Sequence, residues 1–546
     1  MADLVLGPLL RYISATEATI WVETDAPCEV SVLGAVEPTF RVDGHHYALV
    51  RVEGLKPATE HLYDVRLDGE VRWPEPGSAL PPSSLRTLGG EGPLDVAFGS
   101  CRVAVPHEEP WTKSKDEDER GHEVDALWVL AEEISRDEGR RPDLLFLLGD
   151  QVYVDEGSPE TRAKIAARRG TETEPGDEVT DFEEYTWLYR ESWREPLIRW
   201  LFSVVSTSML WDDHDMSDDW NISRSWVEEM RDRSWWHRRA IGCIASYWIY
   251  QHLGNLSPAA LDEDETYRAV RGNQGADAVL FDWAERIEST GAGVRWSFCR
   301  DLGGTRAIFV DSRAGRVLEE GARRMVDDEE WEWIAAQTAG DFDHLLVATT
   351  VPWLLSPGFD RLEAWNERVC DGAHGELAAR GAEQLRRAVD FDHWGSFSHS
   401  FRALRDLLGE VAAGKRGAKP ASVVVLAGDV HHAYLCEVGR PLGEPPRAPI
   451  YQAVCSPYRN PLSGHERAVI RAGFSRPFTE VAAAFARSAG AADPGIRWQL
   501  RDGPFFDNQV ATLHLDGRAA TLRLDKTTPG DRDQQSLETS FERRLA

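Results

Sequence analysis

Five consecutive apolar residues, Leu144 to Leu148, run straight into Gly149-Asp150. No other stretch limits the fold more. A short apolar run without polar alternation reads as a strand buried on both faces, the kind found in sheets covered by helices. In such open α/β sheets, ligands sit beyond the carboxyl ends of the strands. Gly149 lets the backbone turn sharply, which sets Asp150 at the mouth of a site and folds Tyr153 back beside it. Taken alone, Gly-Asp after an apolar run is an ordinary turn. Here the pattern recurs. Ser422-Val-Val-Val-Leu-Ala-Gly-Asp429 is a second such strand, followed by His431 and His432. Ser208-Met-Leu-Trp-Asp-Asp-His-Asp215 puts carboxylates and a histidine after a further apolar run. Strand ends that all deliver oxygen and imidazole ligands point to one metal site.

At 546 residues the chain exceeds one small core, so at least two domains are expected. Residues 1–90 read as an all-β sandwich. Ala18–Glu23, Cys28–Leu33, Tyr47–Val52 and His61–Leu67 alternate, and Asp68-Gly69 is a hairpin turn. Leu55-Lys-Pro-Ala-Thr59 resembles the loop before the tyrosine corner of fibronectin type III domains, with His61 at the usual tyrosine position and Tyr63 two residues on. Pro74, Pro76, Pro81 and Pro82 mark a linker. Residues 91–525 alternate strands and helices, an α/β domain. Its expected helices include 124–134, 187–200 with a restart near Pro196, one long helix over 226–253 stopped by Gly254, 376–389 and 397–411. Residues 511–515 and 519–524 form a closing hairpin, and 526–546 read as a loose polar tail. Gly409–Lys415 has P-loop spacing but continues with Arg416 and trails a helix, so it reads as a helix end.

Charge excludes some partners. With 61 basic and 92 acidic residues the net charge is 61 − 92 = −31, which disfavours nucleic-acid duplexes and anionic membranes. The most apolar long segment, Leu197–Trp211, is short for a membrane span and contains Arg199. The N-terminus shows neither a basic n-region nor a twin Arg, and the seven cysteines form no C-x-x-C pair. A cytoplasmic address with reduced thiols is therefore expected. Nucleophilic-serine and dinucleotide chemistry lack G-x-S-x-G and G-x-G-x-x-G.

The candidate ligands are Cys101, Asp150, Tyr153, Asp213, Asp429 and His431. Thiolate, phenolate and imidazole suit Fe³⁺ or Zn²⁺, whereas carboxylates suit Ca²⁺ or Mn²⁺, and Asp150 can bridge two ions. Two metals roughly 3.5–4 Å apart clamp a phosphoryl group and generate hydroxide at neutral pH. His214, beside Asp213, is placed to protonate a leaving oxygen. Arg102 follows Cys101 and reads as a contact to substrate phosphate, with a surface salt bridge as the alternative. Asp212 is a ligand or a structural acceptor. Asp218, Asp219 and Asn221 suit a further Ca²⁺ or a turn. Arg313 reads as structural, and His393 and His399 as supporting residues.

This constellation resembles the metallophosphoesterase superfamily and, within it, the PhoD-like alkaline phosphatases and phosphodiesterases. Val96-Ala-Phe-Gly-Ser-Cys-Arg102, Leu148-Gly-Asp-Gln-Val-Tyr153, Trp211-Asp-Asp-His-Asp215 and Leu426-Ala-Gly-Asp-Val-His431 carry the likeness. The resemblance implies a four-layer αββα core holding Fe³⁺ and Ca²⁺, with Mn²⁺ or Zn²⁺ as alternatives for the second ion. It implies hydrolysis of a small phosphate ester, monoester or diester, by metal-activated hydroxide with His214 as general acid. Which of His431 and His432 binds metal stays open, with the spacing favouring His431. Two other readings remain: a nucleotide or cyclic-nucleotide phosphodiesterase with the same site, and a calcium-stabilised binding protein without turnover.

Overall fold

The side chains of the Leu144–Leu148 strand alternate between two cores. Leu145 and Leu147 join Trp128, Tyr189 and Met209, whereas Leu144, Phe146 and Leu148 join Phe309, Leu346 and Leu426. The Ser422–Ala427 strand does the same: Val424 and Leu426 enter the shared core, while Val423, Val425 and Ala427 face Phe401, Leu404 and Leu408. Burial on both faces is what an unbroken apolar run demands. This computed structural model describes residues 1–90, 92–137, 140–291, 293–439, 447–532 and 535–546; the domain boundary expected at residue 91 falls outside them.

Two mixed sheets follow from these strands. The first has six strands in the order Ser206–Leu210, Leu144–Leu148, Leu94–Gly99, Gln509–Asp516, Ala519–Lys526 and Glu538–Arg544. Its first three strands are parallel. The second sheet has seven, with Thr305–Val310, His344–Thr349, Ser422–Ala427 and Ile450–Val454 parallel at its centre. The sheets pack face to face, with Phe146 edge-on to Phe309 at 4.7 Å. Helices Ala126–Ser135, Phe182–Trp193, Pro196–Val204 and Trp236–Tyr247 cover the outside of the first sheet. Asp328–Gln337 and Ser398–Ala412 cover the second. The result is the four-layer αββα core, and its parallel strands end on one side of the molecule.

Residues 4–73 form two four-stranded antiparallel sheets, as the alternating strands predicted. They share a core with the helices of the first sheet. Trp21 and Tyr47 pack on Tyr250, which stacks on Tyr189 at 4.1 Å. Tyr63 makes no corner within the sandwich; its hydroxyl donates to the Ser203 carbonyl at 2.6 Å and ties the sandwich to the core.

Two expectations change. The helix expected over 226–253 is broken into Arg224–Arg231 and Trp236–Tyr247, followed by a π turn at Trp248–His252. The π turn frees carbonyls, and Arg11 takes those of Tyr250 and Gln251 at 2.6 Å each. Gly254 stops nothing: a Cβ there would lie 2.5 Å from the Arg11 guanidinium carbon, so its role is close approach. The polar tail also has structure. Glu538–Arg544 pairs with Ala519–Lys526 as an edge strand, where charged side chains belong, and Leu545 buries behind it.

Candidate active site

Four strands deliver the candidate ligands, and the backbone bends hard at the ends of three of them. Cys101, Asp150, Asp429 and His431 all have positive φ, at +58°, +52°, +68° and +49°. Non-glycine residues rarely adopt that region, and such strain collects at functional sites. The glycines before the two aspartates admit neighbouring strand ends. A Cβ on Gly149 would lie 2.7 Å from Asp212 Cβ, and one on Gly428 would lie 2.2 Å from Ser100 Oγ. Ser100 in turn accepts the Asp429 amide at 2.9 Å.

The strand ends therefore meet. Ligand atoms of Cys101, Asp150 and His431 lie within 4.8 Å of one another, as do those of Asp150, Asp212 and Asp213, so Asp150 belongs to both groups. Asp213, His214 and Asp218 form a further such group. The Tyr153 hydroxyl donates to Asp150 Oδ2 at 3.2 Å, and Asn460 reaches that hydroxyl at 3.5 Å. His432 turns away: its Nδ1 donates to the Val430 carbonyl at 2.6 Å and its ring stacks on Tyr434 and Phe506. Asp150, Asp213, His214, Asp429 and His431 line one cavity, but the carboxylate oxygens of Asp429 face Arg313 and His393, each at 3.1 Å.

The electrostatics are those of a site short of positive charge. Burial, with Asp213, Asp215 and Asp429 nearby, pushes the Asp150 carboxyl well above the ordinary range. Burial and the Asp150 charge do the same to the Cys101 thiol and the Tyr153 phenol. Burial lowers His431 to about 3, which keeps its imidazole neutral, the form that ligates. His214 behaves in the opposite way. Burial opposes its charge, but Asp155, 3.0 Å from Nδ1, outweighs burial and holds the imidazolium well above its usual pKa. Its ring lies 4.7 Å from that of Tyr153.

A model of the PhoD-like phosphatase family matches residues 127–455, and a model of a domain of unknown function matches residues 1–85. The chain belongs to the PhoD-like phosphatase family. It is thereby a phosphoester hydrolase, and membership implies metal cofactors. The solved structure of PhoD is similar in fold, with a TM-score of 0.60 at 11% identity over 100% of this chain and 92% of that one. A purple acid phosphatase from yellow lupin (Lupinus luteus) seeds aligns at a TM-score of 0.46 and 11% identity, over 98% of this chain and 73% of its own. No curated protein matches the sequence.

The residues of this PhoD-like phosphatase fit a metal pair. Asp150 Oδ1 and Asp212 Oδ2 are buried without a hydrogen-bond partner among the described residues, in a cluster of acids that burial alone would neutralise. A cation removes that penalty, and a bound metal deprotonates thiol and phenol ligands outright.

One expectation is corrected. Arg102 is no phosphate contact, because its guanidinium points inward. Its Nε donates to Asp125 at 2.7 Å and its Nη1 to the Ser192 carbonyl at 2.7 Å, both buried. Three residues prove more central than their local sequence suggests. Asp212 supplies one of the open oxygens. Arg313, buried, ion-pairs Asp212, Asp213, Asp392 and Asp429. Asp155 orients His214. The spacing Asp150-x-x-Tyr153-x-Asp155 was the one local signal for the last, since it keeps Asp155 in the loop that carries the ligands.

Proposed function

We propose that this phosphatase hydrolyses phosphodiesters and phosphomonoesters at a two-metal centre in the cavity of ≈ 370 Å³ that opens over Asp150, Asp213 and His214. The observation that carries the reading is the pair of open, buried carboxylate oxygens on Asp150 and Asp212 beside a histidine kept charged by Asp155. Cys101, Tyr153 and His431 would hold one ion, Asp212 and Asp213 the other, with Asp150 between them. The first donor set favours Fe³⁺ and the second Ca²⁺ or Mn²⁺. When bound, the metals would supply charge stabilisation at the phosphoryl group and lower the pKa of water.

The chain's own groups do the rest. Arg313 fixes Asp212 and Asp213 through one oxygen of each, which leaves Asp212 Oδ2 open. Until a metal takes its proton, the Tyr153 hydroxyl orients Asp150. His214, held in one orientation by Asp155, carries a proton on Nε2 for the leaving oxygen, a role typically worth about 10²–10⁴-fold. Asp429 and Glu363 hold His393 charged at the cavity edge, against the opposing effect of burial. Among the described residues no helix is long and apolar enough to cross a membrane, and the cytoplasmic address and the division at residues 1–90, 91–525 and 526–546 remain part of the proposal.

Bis-p-nitrophenyl phosphate tests the reading, with Asp150→Ala beside the parent. Turnover and bound metal in the parent, both lost in the variant, are expected. Equal rates in the two proteins would refute it, and the ratio to p-nitrophenyl phosphate ranks diester against monoester.

A further inference from the structure

Beyond the candidate ligands, the cavity has lining residues of a different chemistry. Leu355, Phe359, Val389, Phe391, Leu462 and Ile470 line it. Asp390, between Val389 and Phe391 in the chain, lines it as well, whereas Asp218 belongs with Asp213 and His214. Arg313 is the one arginine among the described lining residues, which include no lysine, and its guanidinium is engaged by Asp212, Asp213, Asp392 and Asp429. Lys115 donates to Asn460 at 3.1 Å on the Tyr153 side and does not line the cavity. An ester group that projects from a phosphate held by metal over Asp150 and Asp213 therefore meets hydrocarbon and carboxylates, and the cations of the lining are already engaged: Arg313 by four carboxylates, His393 by Glu363 and Asp429, and His214 by Asp155, with Asp218 Oδ1 3.6 Å from its Nε2.

We propose that this wall sets the substrate class: phosphoesters whose organic group is apolar or cationic are accepted, and those carrying a second anionic group are rejected. The inference rests on the phosphoesterase reading of the same cavity. Acceptance follows from apolar contact, where one methylene is worth roughly 10–200-fold in kcat/KM. A cationic group also gains from the ring faces of Phe359 and Phe391 and from the carboxylates. Rejection is electrostatic: an anion would enter beside Asp390 while the nearby cations are already paired with carboxylates. Nucleoside di- and triphosphates fall in the rejected class.

The test compares p-nitrophenyl diesters that share one leaving group and differ in the second substituent. Bis-p-nitrophenyl phosphate is the apolar probe, p-nitrophenyl phosphorylcholine the cationic one, and p-nitrophenyl diester of 3-hydroxypropionate the anionic one. Metal-loaded protein at mildly alkaline pH should turn over the first two with kcat/KM about tenfold or more above the third. Val389→Lys places a cation on the wall at a residue 45% exposed, where a lysine does not threaten the fold. It should close the gap between cationic and anionic probes by about tenfold, and Asp390→Asn should move it the same way. Equal kcat/KM for the three probes, or an unchanged gap in Val389→Lys with normal metal content, overturns the inference while leaving the phosphodiesterase reading intact. No turnover of any probe overturns both.

Discussion

Gly149→Ala tests whether the strand-end glycines set the ligand geometry. Gly149 has φ +107°, and the added Cβ would lie 2.7 Å from Asp212 Cβ and 2.9 Å from Asp212 Oδ2. Asp212 cannot swing aside cheaply, because its other oxygen is held by Arg313 and by Thr350 Oγ1 at 3.1 Å. The backbone term for an L-residue at positive φ is about 1–2 kcal/mol. Overpacking a buried contact adds about 1–3 kcal/mol, so the total is about 2–5 kcal/mol. Gly34→Ala separates the two terms: Gly34 has φ +87°, yet no atom lies within 4 Å of its Cβ position. Urea denaturation should show about 1–2 kcal/mol lost in Gly34→Ala and a clearly larger loss in Gly149→Ala. Elemental analysis should find metal reduced in Gly149→Ala alone, since its extra strain falls on Asp212. Equal losses of stability, or normal metal content in Gly149→Ala, would refute the reasoning.

His214→Ala should retain metal and lose about 10²–10⁴-fold in kcat, most for poor leaving groups; loss of metal would instead make His214 a ligand. Asp155→Asn should lower kcat in the same leaving-group-dependent way, because it releases the His214 ring. Arg102→Ala leaves Asp125 buried without its cation and should cost about 3–5 kcal/mol of stability. A raised KM with unchanged stability would restore Arg102 as a phosphate contact. His45 bridges Glu23 of the sandwich to Glu183 of the core. Burial lowers its pKa, but hydrogen bonds to Glu183 and Glu23 prevail and raise it to about 9. A folded pKa above the unfolded value stabilises fully below about pH 6.5 and is lost as pH rises through about 9. That linkage is worth about 3 kcal/mol. The urea midpoint should fall over that window in the parent and stay flatter in His45→Gln.

The core was legible where the signal was local. Leu144–Leu148 and Ser422–Ala427 announced buried strands because both of their faces need apolar side chains, and Gly-Asp announced their ends. Arg102 misled because sequence proximity to Cys101 says nothing about direction; Asp125, 23 residues on, turns it inward. The break in the 226–253 helix was hidden for a similar reason, since the partner of its π-turn carbonyls is Arg11, on the first strand of the chain. The 538–544 strand was missed because an edge strand carries polar residues and lacks the alternation that marks a half-buried one.

Arg313 shows most clearly what only the fold supplies. Its four carboxylates come from three separate segments, at residues 212–213, 392 and 429. Burying that many acids together is prohibitive without cations. Arg313 and His393 meet the demand at Asp392 and Asp429, and so hold Asp429 well below the ordinary range despite its burial. Arg313 reaches only one oxygen of Asp212 and does not reach Asp150, whose carboxyl burial drives upward instead. One arginine thus divides a single acidic cluster into a neutralised half that holds the site together and a half whose open oxygens still call for a metal. That division is why Asp150 and Asp212, rather than Asp429, are the carboxylates whose replacement should empty the site of metal first.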